Sequence, residues 1–234
     1  MSDGPGARAA MPGAPARAPI RDAATVILLR DAATAPRVLM GQRGARAAFL
    51  PNKVVFPGGA VDSADRAVPL GAPLGQVCSG RLGHGAGAAL AAAAIRELAE
   101  ETGLRLACPG RWPAGPVPEA WTSWARAGHL PDARGLSFVF RAVTPPGRPR
   151  RFDARFFLAD ARHLLGDPDD FSDACDELSN LQWVPLGEAR GRDLPFITEV
   201  VLAEVAARLP RLGPPPSVPF FDNSGTRSEF RRMP

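Results

Sequence analysis

The sequence predicts an α/β fold. Two observations carry that expectation: short β-branched and aromatic runs recur along the chain, and two long helical patterns of different character are set among them. Residues 25–29 (TVILL) and 37–41 (RVLMG) are apolar runs joined by DAATAP, whose Asp and Pro favour a turn, so a β-hairpin is expected there. Residues 54–56 form a further strand candidate, stopped by Pro57, Gly58 and Gly59. From 66 to 87 the chain is rich in Gly and Pro without periodicity and reads as a long loop or insertion. Residues 88–102 give the strongest helix, alanine-rich and free of Gly and Pro, with Gly103 placed to close it. A short helix is expected around 119–127. Residues 136–143 (LSFVFRAV) and 152–159 (FDARFFLA) flank the turn TPPG and read as antiparallel strands. Residues 181–184 make a short strand, and 186–189 open a helical piece. Residues 194–209 then form an amphipathic helix, with Val200, Val201, Val205 and Leu209 at helical spacing.

The ends lack such patterns. Residues 1–19, rich in Ala, Pro, Gly and Arg, read as a disordered leader, and the Pro-rich stretch from 213 to 234 reads as a flexible tail. One domain of residues 20–212 is left between them, with the insertion at about 66–87. Of 234 residues, 45% are hydrophobic and 22% charged, which excludes full disorder. The leader has no apolar signal-peptide core and no stretch approaches a membrane span. Cys78, Cys108 and Cys175 are odd in number and widely spaced, which argues against a disulfide framework or a zinc site. The expectation is a cytoplasmic protein with no membrane partner. A homodimer is compatible with the sequence, which does not set an oligomeric state.

The net charge of +4 suggests a modest affinity for phosphates. Lys53 is the only lysine, so 27 of the 28 basic residues are arginine. GC-rich coding accounts for this more readily than a selected arginine surface does. No basic run is clustered, which argues against nucleic acid as the partner.

The informative segment is residues 95–104 (IRELAEETGL). Glu97, Glu100 and Glu101 share one arc of the helix, while Ala91, Ala94, Ile95 and Leu98 share another that would pack on a core. Three carboxylates on one arc repel each other, and they sit in the last turn, where the helix dipole disfavours negative charge. A solvated acidic face is one reading. The other is a bound divalent cation, which resolves both conflicts; Mg²⁺ takes a few carboxylates when it is shared with a substrate phosphate. Upstream, Phe56-Pro57-Gly58-Gly59 ends a strand in a turn whose backbone can approach a ligand closely.

Together these residues resemble the signature of the Nudix hydrolases: glycine, five residues, glutamate, seven residues, then R-E-apolar-x-E-E-x-G-apolar. Residues 96–104 (RELAEETGL) match every defined position of the second half. The first half departs from it. Arg96 follows Gly59 by 37 positions, 23 more than the family pattern, and the difference is the insertion. The box glutamate is missing: counting forward from Gly59 reaches Asp65, counting back from Arg96 reaches Ala88. Asp62 or Asp65 could replace it, or both could be solvated loop acids. An interrupted box resembles the branch that includes the peroxisomal coenzyme A diphosphatases of animals. So do AFLP at 48–51 leading into VVFPGGAVD, RRFDARFFLA from Arg150, and LQWVPLGEA from Leu181.

The resemblance implies an α/β/α sandwich with a mixed sheet between helices, and Mg²⁺-dependent hydrolysis (Mn²⁺ as substitute) of a small-molecule diphosphate. Coenzyme A or an acyl-CoA is the first substrate candidate, ADP-ribose or NADH-type dinucleotides the alternative. Expected metal ligands are Glu97, Glu100, Glu101 and the Gly59 carbonyl. The catalytic candidates are Glu97 and Glu101 within the box and Glu177 on a later loop, where a solvated acid is an equal reading. Arg96 is expected to orient Glu97 by a bidentate pair. Arg43, Arg151 and Arg155 are candidates for holding substrate phosphates. Alternation along RFDARF also allows Arg151, Asp153 and Arg155 to form a structural Arg–Asp ladder. A catalytically silent ligand sensor and an RNA-directed activity remain as competing functions.

Overall fold

The computed structural model describes residues 18–234, so the expected leader lies almost wholly outside the described residues. Strands β1 (Ile20–Arg30) and β2 (Arg37–Arg43) form the expected hairpin, with Leu29 opposite Val38. Strand β3 (Val54–Val55) pairs with β2. Pro57 does not end the sheet there: β4 (Gly58–Ala60) continues antiparallel along β1, with Gly59 opposite Ala24. A 3-10 turn (Ser63–Ala67) leads to helices α1 (Gln76–Leu82) and α2 (His84–Thr102). Strand β5 (Ala107–Pro109), helix α3 (Thr122–Arg126) and strand β6 (His129–Pro131) follow, β5 and β6 making a small separate sheet. The main sheet resumes with β7 (Ser137–Val143), β8 (Arg151–Asp160) and β9 (Leu178–Pro185). Helices α4 (Leu186–Ala189) and α5 (Phe196–Arg208) precede the last strands, β10 (Val218–Asp222) and β11 (Glu229–Met233).

The sheet runs β11-β10-β7-β8-β1-β2-β3, with β4 also on β1 and β9 also on β2. It is mixed, because β8 lies parallel to β1 and β10 parallel to β7. Strand β1 is covered on both faces, which is why its sequence reads as a continuous apolar run. Ala24, Val26 and Leu28 meet Ile95, Leu98 and the small side chains of α2 on one face. Ile27 and Leu29 meet Val201, Leu202 and Val205 of α5 on the other. The α/β/α sandwich is therefore as expected.

Two expectations about irregular segments are corrected. The insertion at 66–87 is not simply a loop: it contains α1 and the first turn of α2. Leu74, Cys78 and Leu82 lie four apart and pack against the α2-side core, and Cys78 Sγ accepts the Phe138 N–H at 3.3 Å. The residues from 213 on are not simply a flexible tail, since β10 and β11 extend the sheet, with Val218 and Phe220 buried. Insertion and tail are joined by Arg81 of α1. Its Nη1 and Nη2 donate to the Pro215 and Pro216 carbonyls at 2.8 Å each, and its Nε donates to Pro234 at 2.9 Å.

Phe220 lies between two guanidinium groups, Arg141 at 4.4 Å and Arg231 at 4.7 Å from its ring. Phe220→Ala is therefore expected to cost about 3 kcal/mol in urea unfolding. A loss within about 0.5 kcal/mol, the range of surface substitutions, would show that β10 does not stabilise the fold.

Candidate active site

Helix α2 buries residues 89–95 and Leu98 against the sheet, and this sets the direction of its acidic arc. Gly103 closes the helix in the left-handed region, φ 78°, its N–H donating to Ala99 at 2.9 Å. Glu101 is buried, 1% exposed. Its Oε2 accepts the Gly58 N–H at 2.7 Å, while its Oε1 has no hydrogen-bond partner among the described residues. Both glycines of β4 are needed, for different reasons. At Gly58, with φ 155°, a Cβ would stand 2.5 Å from the Ala24 carbonyl oxygen, so only glycine lets β4 lie this close to β1. At Gly59 a Cβ would stand 2.5 Å from the carboxylate of Glu97. That carboxylate therefore lies directly over the turn.

Arg96 holds the arrangement together from below. Its Nε and Nη2 pair with Asp65 at 3.0 Å each, which is the bidentate contact. Nη1 reaches Glu97 Oε1 at 2.8 Å and Glu100 Oε2 at 3.1 Å, and Nη2 also donates to the Ala60 carbonyl at 3.0 Å. The bidentate partner is thus Asp65, not Glu97 as expected, because Asp65 is buried and meets the guanidinium edge-on. Of the two acids that could replace the missing box glutamate, Asp65 has this role; the Asp62 side chain is 60% exposed and 3.9 Å from Arg96.

Strand β2 and the loop before β9 complete the site. Arg43 Nη2 donates to Glu177 Oε1 at 2.9 Å, and Nη1 lies 3.9 Å from Glu101 Oε1. Burial pushes the Glu97 carboxyl up to about 7, Glu100 and Glu177 adding to the shift while Arg96 opposes it. Burial pushes Glu101 up to about 8, against the pull of the Gly58 N–H and with Glu97 and Glu177 adding to it. Arg96 is also desolvated, yet its contacts with Asp65 and Glu97 outweigh that and raise it above the ordinary arginine value.

Arg151 and Arg155 are not free for substrate as expected. Arg151 is buried and donates to the carbonyls of Thr144 at 3.1 Å and Ser224 at 3.2 Å, tying the β7–β8 turn to the segment between the last two strands. Arg155 Nη1 bonds Asp22 at 2.6 Å and lies 3.2 Å from Asp153, which Arg141 also holds. The expected ladder thus holds only for Asp153 and Arg155: Arg141 stands where Arg151 was expected, and Arg155 extends it to Asp22 on β1. The sequence reading missed the Gly58 N–H as the group that fixes Glu101. Its signal was the second glycine of the pair, beside the one assigned.

The oxygen-rich donor set fits a hard divalent cation. Among the described residues Glu101 Oε1 is buried and unpartnered, Glu97 lies over the bare backbone of Gly59, and burial, with repulsion among the acids adding to it, raises both carboxyls. Among the described residues no three acidic, histidine or cysteine side chains already converge on one point. Glu97 and Glu100 are instead tied to Arg96, and Glu177 to Arg43.

The NUDIX domain family model matches residues 19–205. The chain belongs to the Nudix family. A Caenorhabditis elegans protein named nudix hydrolase 7 is 33% identical to this Nudix chain over 177 residues, 70% of this chain and 51% of that protein. The chain thus spans about half the length of that curated relative. The crystal structure of a NUDIX hydrolase from Alicyclobacillus acidocaldarius matches at TM-score 0.62 and 32% identity, covering 82% of this chain and 93% of that one. Members of the Nudix family use divalent cations. Among the described residues no helix is long and apolar enough to cross a membrane.

Two predictions follow from the Nudix box geometry. Asp65→Ala removes the bidentate partner of a buried guanidinium and is expected to cost about 3 kcal/mol, the lower end for a broken buried pair because Glu97 and Glu100 remain. Urea unfolding measures this, and an unchanged midpoint would reject the role given to Asp65. The raised carboxyls also set a pH dependence. Glu97 and Glu101 leave an ordinary value of 4.5 in the unfolded chain and reach about 7 and about 8 when folded. Over that range the folded chain binds more protons, so stability without metal falls as pH rises. The Tm with chelator present should drop between about pH 5 and pH 8, and Glu101→Gln should flatten the slope; a slope unchanged by that substitution would refute the assignment.

Proposed function

We propose that the protein is a Mg²⁺-dependent hydrolase of the diphosphate bond in nucleoside diphosphate derivatives, with coenzyme A or an acyl-CoA as substrate. The observation that carries the reading is the buried, half-partnered Glu101 set beside Glu97 across the Gly58 and Gly59 backbone. Glu97, Glu100, Glu101 and the Gly59 carbonyl would hold the cation, Mg²⁺ or Mn²⁺. Bound there, it neutralises phosphoryl oxygens and makes a coordinated water more acidic. Glu177, whose side chain is 53% exposed, would take the proton of an attacking water as the water oxygen bonds to phosphorus and the P–O anhydride bond breaks, the second phosphate leaving with the bonding electron pair. Arg96 and Asp65 touch no substrate and fix the direction of Glu97.

The coenzyme A reading rests on the interrupted box and on the three shared stretches at 48–62, 150–159 and 181–189. The experiment is a panel of coenzyme A, acyl-CoAs, NADH, ADP-ribose and nucleoside triphosphates, with products identified by mass. Release of 3′,5′-ADP and 4′-phosphopantetheine is expected, and activity confined to ADP-ribose would reject coenzyme A as substrate. Glu177→Gln should lower kcat by about 10²-fold or more, the usual contribution of a general base. Glu101→Gln should abolish most turnover while the helix stays folded by circular dichroism. Full turnover in either folded variant would remove that residue from the mechanism.

A further inference from the structure

We infer that Arg43 is a positioning residue that holds Glu177 in working geometry, rather than a ligand for substrate phosphate. The inference rests on the hydrolase reading above and deepens it. Its first support is the rigidity of the backbone that carries Arg43. The Arg43 N–H donates to the Lys53 carbonyl at 2.9 Å, and the Arg43 carbonyl accepts from Asn52 N–H at 3.2 Å. On the opposite edge of β2, Arg43 pairs with Leu178 of β9. A positioning group on a strand tied at both edges holds its side chain more narrowly than one on a loop.

The second support is a fault in the β2–β9 ladder. Register shifts between Met40 and Gln42, and Asn180 sits at φ 50° where β9 absorbs the extra residue. The irregularity is pinned by side chains: Ser179 Oγ donates to the Gln42 carbonyl at 3.1 Å, and Asn180 Nδ2 donates to Gln42 Oε1 at 2.9 Å. Its effect is to bring Leu178 opposite Arg43, so that the preceding residue, Glu177, comes within reach of the guanidinium.

The third support is how the guanidinium is used. One terminal nitrogen bonds Glu177 at 2.9 Å and the other lies 3.9 Å from the free oxygen of Glu101, while Nε is buried without a partner. The side chain is only 16% exposed. Both ends of the fork thus face carboxylates of the protein, and the inner nitrogen cannot reach solvent. A planar fork can span two acids in this way; a lysine ammonium, a single point charge, cannot. Without it Glu177 is held only by the backbone of a solvent-facing loop.

The test compares kcat and KM for whichever diphosphate the wild type hydrolyses, in Arg43→Ala, Arg43→Lys, Glu177→Gln and the double variant Arg43→Ala with Glu177→Gln. A positioning residue lowers kcat about as far as Glu177→Gln, roughly a hundredfold, with KM little changed. It adds little in the double variant, because it acts through the group already removed. Arg43→Lys should not restore kcat, and it serves as the measured variant if Arg43→Ala fails to fold. Raised KM with unchanged kcat, or losses that multiply in the double variant, would overturn the inference in favour of phosphate binding. If the wild type hydrolyses no diphosphate with Mg²⁺, the hydrolase reading fails by itself. Amide hydrogen exchange then decides this one: faster exchange at residues 174–177 in Arg43→Ala sustains the brace, and unchanged exchange overturns it.

Discussion

Arg96 is a guanidinium taken almost wholly out of water, 7% exposed, and a group of that kind is tolerated only where its donors are met. Its hydrogen bonds among the described residues number five, matching the five N–H groups of an arginine: two to Asp65 and one each to Glu97, Glu100 and Ala60. Those acceptors come from three separate parts of the chain: the 3-10 turn, β4 and α2 itself. Satisfying one buried cation therefore fixes the turn, the glycine strand and the acidic helix relative to one another. A buried ion pair is weak grounds for stability. What it gives here is a direction for Glu97, because the other atoms the guanidinium must reach admit few orientations.

The acidic arc is the opposite case, a place where the fold works against itself. Half-buried Glu97 and buried Glu101 stand among like charges at the end of a helix dipole that repels them, and only part of their oxygen inventory is met by the described residues. Elsewhere the sandwich follows ordinary rules, with β1 apolar on both faces and small alanines letting α2 lie close to the sheet. Local rules broken where acids cluster, beside a core that keeps them, are what a functional site looks like energetically. The cost is carried by the surrounding core.

How much of this was legible in the sequence depended on period and distance. The hairpin announces itself through apolar runs around a turn, α2 through its alanines and α5 through helical spacing, and their bounds came out within a few residues. Helix α1 did not. Its apolar contacts, Leu74, Cys78 and Leu82, have helical spacing, but glycine and serine between them hid the pattern. Strand β10 was hidden by Pro219 and the prolines before it. Within the site, the helix arc gave Glu97, Glu100 and Glu101, whereas Asp65 could only be reached by counting, because its partner is 31 residues away. Arg151 shows the limit most plainly. Strand alternation put it on the expected face, but the carbonyls that occupy it belong to residues 7 and 73 positions distant.

Arg81 leaves a mark on how this chain could have changed over time. The helix it sits on interrupts the box and resembles an added module, yet its guanidinium is met by carbonyls of Pro215 and Pro216, at the far side of the sequence. Neither partner works alone: without the helix those carbonyls lose their donors, and without the tail a partly buried cation loses its acceptors. The two segments are thus coupled through one side chain. Grafting the interruption into another Nudix domain would leave this guanidinium to water in place of three carbonyls.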